Sequence, residues 1–581
     1  MTEGFASVVN FNPTIAYFSM EIGLETDLPT YSGGLGILAG DTLKSCADLG
    51  LAVVGVSLIY HKGYFTQEID ANGEQVERET NWDPAEKLRL LPQKIILREI
   101  EGRDILVQGW LYCCKGTAGK EVPIVFLDTD LEGNAEQDRN LVSSLYGGDN
   151  EFRLKQEILL GIGGVKYLRA LGFHDIKTFH MNEGHSSLLT LELLRESRRT
   201  IFETWDEDTT WDFEKVRSQC VFTTHTPVAA GHDVFSYDLM QKILRTGISL
   251  TVLKKICGNG VLNMTTLGLN LSRFANGVAK AHGDVSRNMF PTYQIDYITN
   301  GIHVPTWTHK PFHDLFDKYA KLWTRDPKYL RQAESIPCGE IWDAHMQCKR
   351  DLLDEVRRTT SVKLDPDVLT VGFARRSAAY KRATLMFNDL DRLISIAENS
   401  PGLQLVFSGK AHPRDADGKK NIKDIHRYIK EIEKRARKLK VVYLPNYNMR
   451  LGFLITGGVD LWVNTPIRPH EASGTSGMKA VLNGVLNLSI LDGWWVEGCI
   501  EGVTGWAIGD LDTHPEMSLE ELARFDARQF YDKLEKNVIP DFYERRSDWI
   551  EMQRHAISIN ASFFNSHRQV EQYVVKAYFY P

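Results

Sequence analysis

The stretch "DLWVNTPIRPHEASGTSGMKAVLNGVLNLSI", residues 460 to 490, decides the fold. Two short apolar, strand-like runs, 460–466 and 486–490, flank a segment that opens on small residues and turns helical. Parallel strands need a crossover of about a dozen residues or more, so strand, helix and strand in this space make a parallel βαβ unit. Inside it, "EASGTSGMK" (471–479) holds Lys479 just within a helix whose first turn offers hydroxyls and free backbone N–H groups. A lysine in a desolvated pocket has its pKa lowered and becomes a Schiff-base former. A capped helix with a lysine reaching out to water explains the same local pattern.

Working outward, strands are expected at 368–374, 403–409 and 441–446, each followed by a helical pattern. In the first half they are expected at 14–20, 51–60, 122–128, 176–181, 220–225 and 296–300, with a hairpin around 98–110. This alternation is the signature of parallel sheets covered by helices, so the fold class is α/β. A chain of 581 residues is too long for one core. Two Rossmann-like lobes are expected, 1–305 and 306–551, hinged at "NGIHVPTW" (300–307), with a last helical segment, 552–581, placed to cross back to the first lobe. The basic helix at 419–440 has apolar residues at helical spacing and reads as a solvated face.

Ligands of open parallel sheets bind beyond the carboxyl ends of the strands. In the second half those ends carry "RRSAAYKR" (375–382), "GKAHP" (409–413), "NYN" (446–448), "PIRPHEASGTSGMK" and "DGWWVE" (492–497). In the first they carry "YSGGLG" (31–36), "NEGHSS" (182–187), "HTP" (225–227) and "TNG" (299–301). If the two sets face each other, they line one cleft, the geometry of a two-lobed glycosyltransferase. Arg375, Arg376, Lys381 and Arg382 directly after a strand suit a phosphate clamp, since arginine offers a planar fork and lysine a point charge; a solvated loop is the plainer alternative. "SGGLG" before a helix can receive an anion or simply pack a strand against a helix. "HMNEGH" (180–185) lacks zinc-ligand spacing, and "DTD" (128–130) is too short to stand for a metal pair, so no metal is expected. Trp494 and Trp495 read as packing residues.

A net charge of −8 argues against a general nucleic-acid binder. Eight scattered cysteines without CxxC spacing suggest neither zinc nor disulfides, and the best apolar run, 49–60, is too short to span a bilayer. A cytoplasmic protein is expected, with no membrane partner.

Taken together, "EASGTSGMKAVLNG" (471–484), "RRSAAYKR", "NY" (446–447), "YSGGLGILAGD", "GGDNEFRLKQE" (147–157), "NEGH", "THTP" and "TNG" resemble, in order, the blocks of the α-glucan (glycogen, maltodextrin) phosphorylases, closest to the short bacterial and archaeal type. The resemblance covers essentially the whole chain and implies the GT-B architecture, with a cleft between the lobes. It implies that Lys479 holds pyridoxal 5′-phosphate covalently. Tyr447, Thr475, Ser476 and Arg375 would surround the cofactor phosphate, with Trp307 packed nearby. Arg376, Lys381 and the Gly34 amide would hold inorganic phosphate. Glu471, Ser473, Gly474, Asn300, His225 and Asn150 would contact the glucosyl unit. The implied catalytic set is Lys479, Arg376, Lys381 and His225. The implied reaction is reversible phosphorolysis of a terminal α-1,4-linked glucose to α-glucose 1-phosphate with retention. Two positions depart from the animal enzymes: Arg375 replaces a lysine and Asn448 an arginine. The long regulatory N-terminal extension is also missing, so control by AMP or phosphorylation is not expected. A homodimer is compatible with the resemblance. The rival readings are a nucleotide-sugar glucan synthase, which needs no pyridoxal phosphate, and a silent glucan-binding relative.

Overall fold

The computed structural model describes residues 11–199, 207–228 and 231–579. The first ten residues and the last two, which the expected segments 1–305 and 552–581 include, lie outside them.

The first sheet has nine strands, in the order Asp296–Tyr297, Phe274–Gly277, Cys220–Thr223, Thr178–Asn182, Ile15–Phe18, Val53–Leu58, Glu121–Asp128, Ile105–Lys115 and Arg89–Leu97. The first seven run parallel, and the last two add antiparallel to the edge. The expected hairpin therefore exists, with 98–104 as its connection. The inner strands Ile15–Phe18, Val53–Leu58 and Thr178–Asn182 are buried at every position. That is why they read as continuous apolar runs.

The second sheet has six strands, all parallel, in the order Leu439–Leu444, Leu403–Ser408, Thr370–Ala374, Leu461–Asn464, Leu486–Ile490 and Gly505–Ile508. The opening stretch is indeed one βαβ unit, with helix Ser476–Leu482 as its crossover. Strands Phe274–Gly277 and Gly505–Ile508 were not anticipated. Both are four residues long, and each carries a glycine in an otherwise weak pattern.

Loops at the carboxyl ends of the two sheets meet. The hairpin Thr66–Ile69/Gln75–Arg78 of the first lobe reaches across: Gln67 Nε2 donates to Gly409 O at 2.8 Å, Gln75 Nε2 to Ala411 O at 2.9 Å, and Asn446 N–H to Gln67 Oε1 at 2.8 Å. Helix Ala416–Arg435 buries Ile422, Ile425 and Ile432, but its basic face is not wholly solvated. Lys419 and Lys423 pair with Glu77 and Glu74 of that hairpin.

The C-terminal segment divides its packing. Ala556, Ile557, Ala561 and Phe564 belong to the second core, whereas Val570, Tyr573, Ala577 and Tyr578 join the first. The return to the first lobe is thus made by helix Ser566–Tyr573 and the turn after it. At this junction Asp48 Oδ2 lies 2.8 Å from both His303 Nε2 and His567 Nε2. The molecule has the two-lobed α/β architecture of the GT-B glycosyltransferases.

Candidate active site

Strand Thr370–Ala374 delivers Arg375 and Arg376 at its carboxyl end. Arg375 Nη2 donates to Glu471 Oε2 at 2.7 Å, and its Nη1 donates to Asn464 Oδ1 at the end of the adjacent strand. A turn at Ala379–Lys381 brings Lys381 Nζ to the same Glu471 oxygen at 2.6 Å. Glu471 is buried, which by itself would raise its pKa, but the charges of Arg375 and Lys381 draw it down to about 2. Arg382, adjacent to Lys381, does not join them. Its backbone is left-handed (φ 48°), and the side chain runs to Asp526 at 2.6 Å and to the carbonyls of Thr465 and Pro466. Arg376 remains exposed, with its charge facing Tyr380, Tyr64 and Tyr146.

Lys479 sits in the first turns of helix Ser476–Leu482 and is 8% exposed. Its Nζ lies 3.5 Å from the centroid of the Trp307 ring. Burial lowers its pKa to about 8, with Asp41 opposing and Lys44 assisting. The approach to this helix needs glycine at 474, where φ is +80°. Thr475 makes no side-chain capping bond, so its hydroxyl is not used by the helix. Ser473 Oγ and Arg375 Nε are buried without a protein partner. Tyr447 follows a left-handed Asn446 (φ 61°), and burial pushes its phenol up to about 12 against the pull of Arg375. Asn448, one of the two departures, caps helix Met449–Gly458 by accepting the Leu451 N–H at 2.9 Å. Its side-chain oxygen thus serves the start of that helix.

On the first lobe, Glu21 Oε2 accepts the N–H groups of Ser32 at 2.5 Å and Gly33 at 3.1 Å. A Cβ added at Gly34 would meet nothing within 4 Å, so that backbone faces open space. His225 Nε2 lies 2.6 Å from Asn182 Oδ1, and the His225 N–H donates to Glu183 Oε2 at 2.7 Å. Burial lowers the His225 pKa to about 4, so the ring is neutral at physiological pH. Glu183 holds a strained φ of 78° and is buried; such backbone costs roughly 1–3 kcal/mol and persists where neighbours over-determine it. Asn300 is buried beneath the C-terminal helix, its Oδ1 3.4 Å from Gln569 Nε2. Asn150 begins helix Asn150–Ile158 and is exposed.

Direct contact thus joins Arg375, Lys381 and Glu471 in one group and Lys479 and Trp307 in another, both at the ends of the second sheet's strands or the hinge. His225, Asn300, Asn150 and Gly34 stand on first-lobe strand ends and helix starts. "HMNEGH" does not converge: His180 bonds Tyr578 and Thr223, and His185 pairs with Asp233. Asp128 of "DTD" is taken by His61 and Trp110.

Sequence reasoning missed Asp41, Asn464 and Asp492. Asp492 accepts the Glu471 N–H at 2.8 Å, and burial, reinforced by the Glu471 charge, pushes its pKa up to about 7. Its position just after strand Leu486–Ile490 was the available signal. Asp41 closes the quoted block "YSGGLGILAGD" but lies seven residues into a helix, away from the strand end on which the search for site residues rested.

Two cations and an exposed arginine against one buried carboxylate, unpartnered Ser473 Oγ and Arg375 Nε, and an amine of lowered pKa under an aromatic face fit an aldehyde cofactor bearing a phosphate.

Comparison with known proteins relates the chain to carbohydrate phosphorylases. The family described as carbohydrate phosphorylase matches residues 20–101 and 246–504. The chain is 38% identical to maltodextrin phosphorylase of Thermococcus litoralis and 38% identical to glycogen phosphorylase of Mycobacterium tuberculosis. In each case the match covers 97% of this chain and 70% of the relative. It is 35% identical to glycogen phosphorylase of Aquifex aeolicus, over 98% of this chain and 86% of that one.

Proposed function

Because the chain belongs to the carbohydrate phosphorylase family, we propose that it is an α-1,4-glucan phosphorylase, transferring the terminal glucose of a glycogen- or maltodextrin-like chain to inorganic phosphate as α-glucose 1-phosphate, with pyridoxal 5′-phosphate on Lys479. The observation that carries this reading is the Arg375–Glu471–Lys381 cluster together with a buried Lys479 under the Trp307 ring. Two phosphate groups, one from substrate and one from cofactor, each bear a charge of about −1.5 to −2 and at ~5 Å repel by roughly 7–13 kcal/mol at an effective dielectric of ~20. A single cation would not offset that. Arg375, Arg376 and Lys381 together can, while leaving the second phosphate pKa, near ~6, in range for proton exchange.

In this reading Arg375, Tyr447, Thr475 and Ser476 bind the cofactor phosphate, and Trp307 packs beside the tether. Arg376, Lys381 and the Gly34 amide orient inorganic phosphate. Glu471, Ser473, Gly474, Asn300 and the neutral His225 position the sugar, with Asn150 at the cleft rim. When bound, pyridoxal phosphate supplies a phosphate that relays a proton to inorganic phosphate. The attacking phosphate lies on the face from which the glucan leaves, so configuration is retained. Closure of the two lobes excludes water that would otherwise hydrolyse the glucosyl unit. The lobes divide near residue 305, with 306–551 holding the cofactor and helix Ser566–Tyr573 returning to the first lobe. No helix among the described residues is long and apolar enough to cross a membrane. All eight cysteines are unpaired, which suits a reducing cytoplasm.

The experiment is the near-ultraviolet absorbance of the purified protein. A cofactor band that is lost in Lys479→Ala supports the reading. A protein that lacks the band yet transfers glucose from a nucleotide sugar is a glucan synthase, and the reading falls.

A further inference from the structure

Asp41 lies on helix Gly34–Asp48 of the first lobe, is 1% exposed, and is used by none of the roles above. Its two carboxylate oxygens accept the Trp307 indole N–H at 3.0 and 2.9 Å. The face of that same indole carries the Lys479 Nζ, 3.5 Å from its centroid. The chain of contacts runs from first-lobe helix to hinge to second-lobe helix, and it fixes the ring at the one edge that can donate. An indole whose N–H donates to a carboxylate presents a more electron-rich face, and in a desolvated site such a face attracts a cation more strongly than it does in water.

We propose that Asp41 is a positioning residue for the cofactor-bearing nitrogen of Lys479, orienting Trp307 through its indole N–H and supplying the negative charge that keeps this nitrogen protonatable in a buried site. The inference rests on the proposed function only for the use of Lys479 as a tether. The charged groups that act on Nζ are Asp41 and Lys44, both from the same first-lobe helix and of opposite effect. Lys44 Nζ is held by Thr306 Oγ1 at 3.2 Å. The nearby Arg375, Lys381 and Glu471 are paired among themselves. Beyond burial, the charges that act on the Lys479 nitrogen therefore come from the first lobe.

The test is the pH titration of the cofactor's absorbance band in the purified holoenzyme, which reports protonation of the nitrogen linking Lys479 to the cofactor. Asp41→Asn is expected to weaken proton affinity roughly tenfold, one pH unit downward, and Lys44→Gln to move the midpoint upward. Opposite movements are something that a merely structural role for this helix does not produce. An unmoved midpoint in Asp41→Asn, or movement of both variants in one direction, overturns the inference. Should Asp41→Asn not fold, Asp41→Ser removes the same charge with less volume and carries the same expectation. If the wild type shows no cofactor band, the proposed function fails separately. The inference is then read from the pH dependence of reductive methylation at Lys479, followed by peptide mass, with the same signs expected and the same outcomes overturning it.

Discussion

Glu471 holds one negative charge between two cations, and its removal is the sharpest test at the scale of single residues. Breaking a buried ion pair from one side costs about 3–5 kcal/mol because the other charge is left uncompensated. Here two cations are left. Glu471→Gln is therefore expected to lower the melting temperature without phosphate and to recover more of it than wild type when phosphate is added. In kinetics the KM for phosphate should fall while kcat falls by 100-fold or more. Equal phosphate-induced shifts in variant and wild type would show that the cations do not serve an anion.

Asp492 gives the pH dependence. Its folded pKa, about 7, lies above the ordinary value near ~4, so its contribution to stability is complete below that ordinary value and is lost as pH rises through about 7. Asp492→Asn should flatten the stability profile between pH 5.5 and 8.5, by about 2 kcal/mol, as read by denaturant unfolding at the two pH values. At this scale the sequence marked residues that stand at strand ends in small-residue or basic runs, such as Lys479, Lys381 and Arg375. Asp41 escaped because it sits mid-helix, and Arg382 was misgrouped because a left-handed turn reverses its direction.

Among the elements, the hairpin Thr66–Ile69/Gln75–Arg78 was not legible, for a physical reason. Its strands carry polar residues because they bind the second lobe through amides, so they lack the apolar alternation by which strands are recognised. Its turn, by contrast, is fixed by Asp70 Oδ1, which accepts the N–H groups of Asn72 and Glu74 at 2.9 and 2.8 Å. Gly73 is required there twice over, with φ at +82° and a would-be Cβ only 2.5 Å from His426 Cβ. Gly73→Ala should lift the hairpin from helix Ala416–Arg435. Replacing Gln67 and Gln75 together by alanine takes the Gln75 partner from both the Ala411 N–H and C=O, at about 1–3 kcal/mol each, and leaves the Gly409 carbonyl with the Tyr443 hydroxyl alone. Because Asn446 also bonds Gln67, the double variant should loosen the loop bearing Tyr447 and weaken cofactor retention, measured by dialysis and absorbance. Retention equal to wild type would confine the hairpin to lobe docking. The parallel strands themselves were readable because burial on both faces makes them apolar throughout.

Across the whole molecule, the C-terminal segment ties the lobes at the place where the chain between them begins. Arg568 donates to the carbonyls of Thr299 at 2.6 Å and Asn300 at 3.0 Å, and Gln569 accepts the Gly301 N–H at 3.1 Å. Gly301 admits this approach: a Cβ there would lie 2.1 Å from the Asn565 carbonyl carbon. Arg568→Ala should cost about 1–3 kcal/mol in unfolding and raise the KM for glucan, since Asn300 loses its backing. An unchanged KM would remove Asn300 from the sugar site. The two-lobed α/β plan was visible from strand and helix alternation, but the exact crossing was not. A last helical segment was expected from 552 onward, whereas the structure turns between Ala561 and Ser566 before re-entering the first core.

In the proposed function these lobes close on two phosphates to move a glucosyl unit onto one of them. Phosphorus NMR of the purified protein incubated with maltodextrin and inorganic phosphate tests it directly. An α-glucose 1-phosphate signal is expected to grow as inorganic phosphate declines, and to be abolished in Lys479→Ala. Free glucose accumulating while the inorganic phosphate signal stays constant would contradict it.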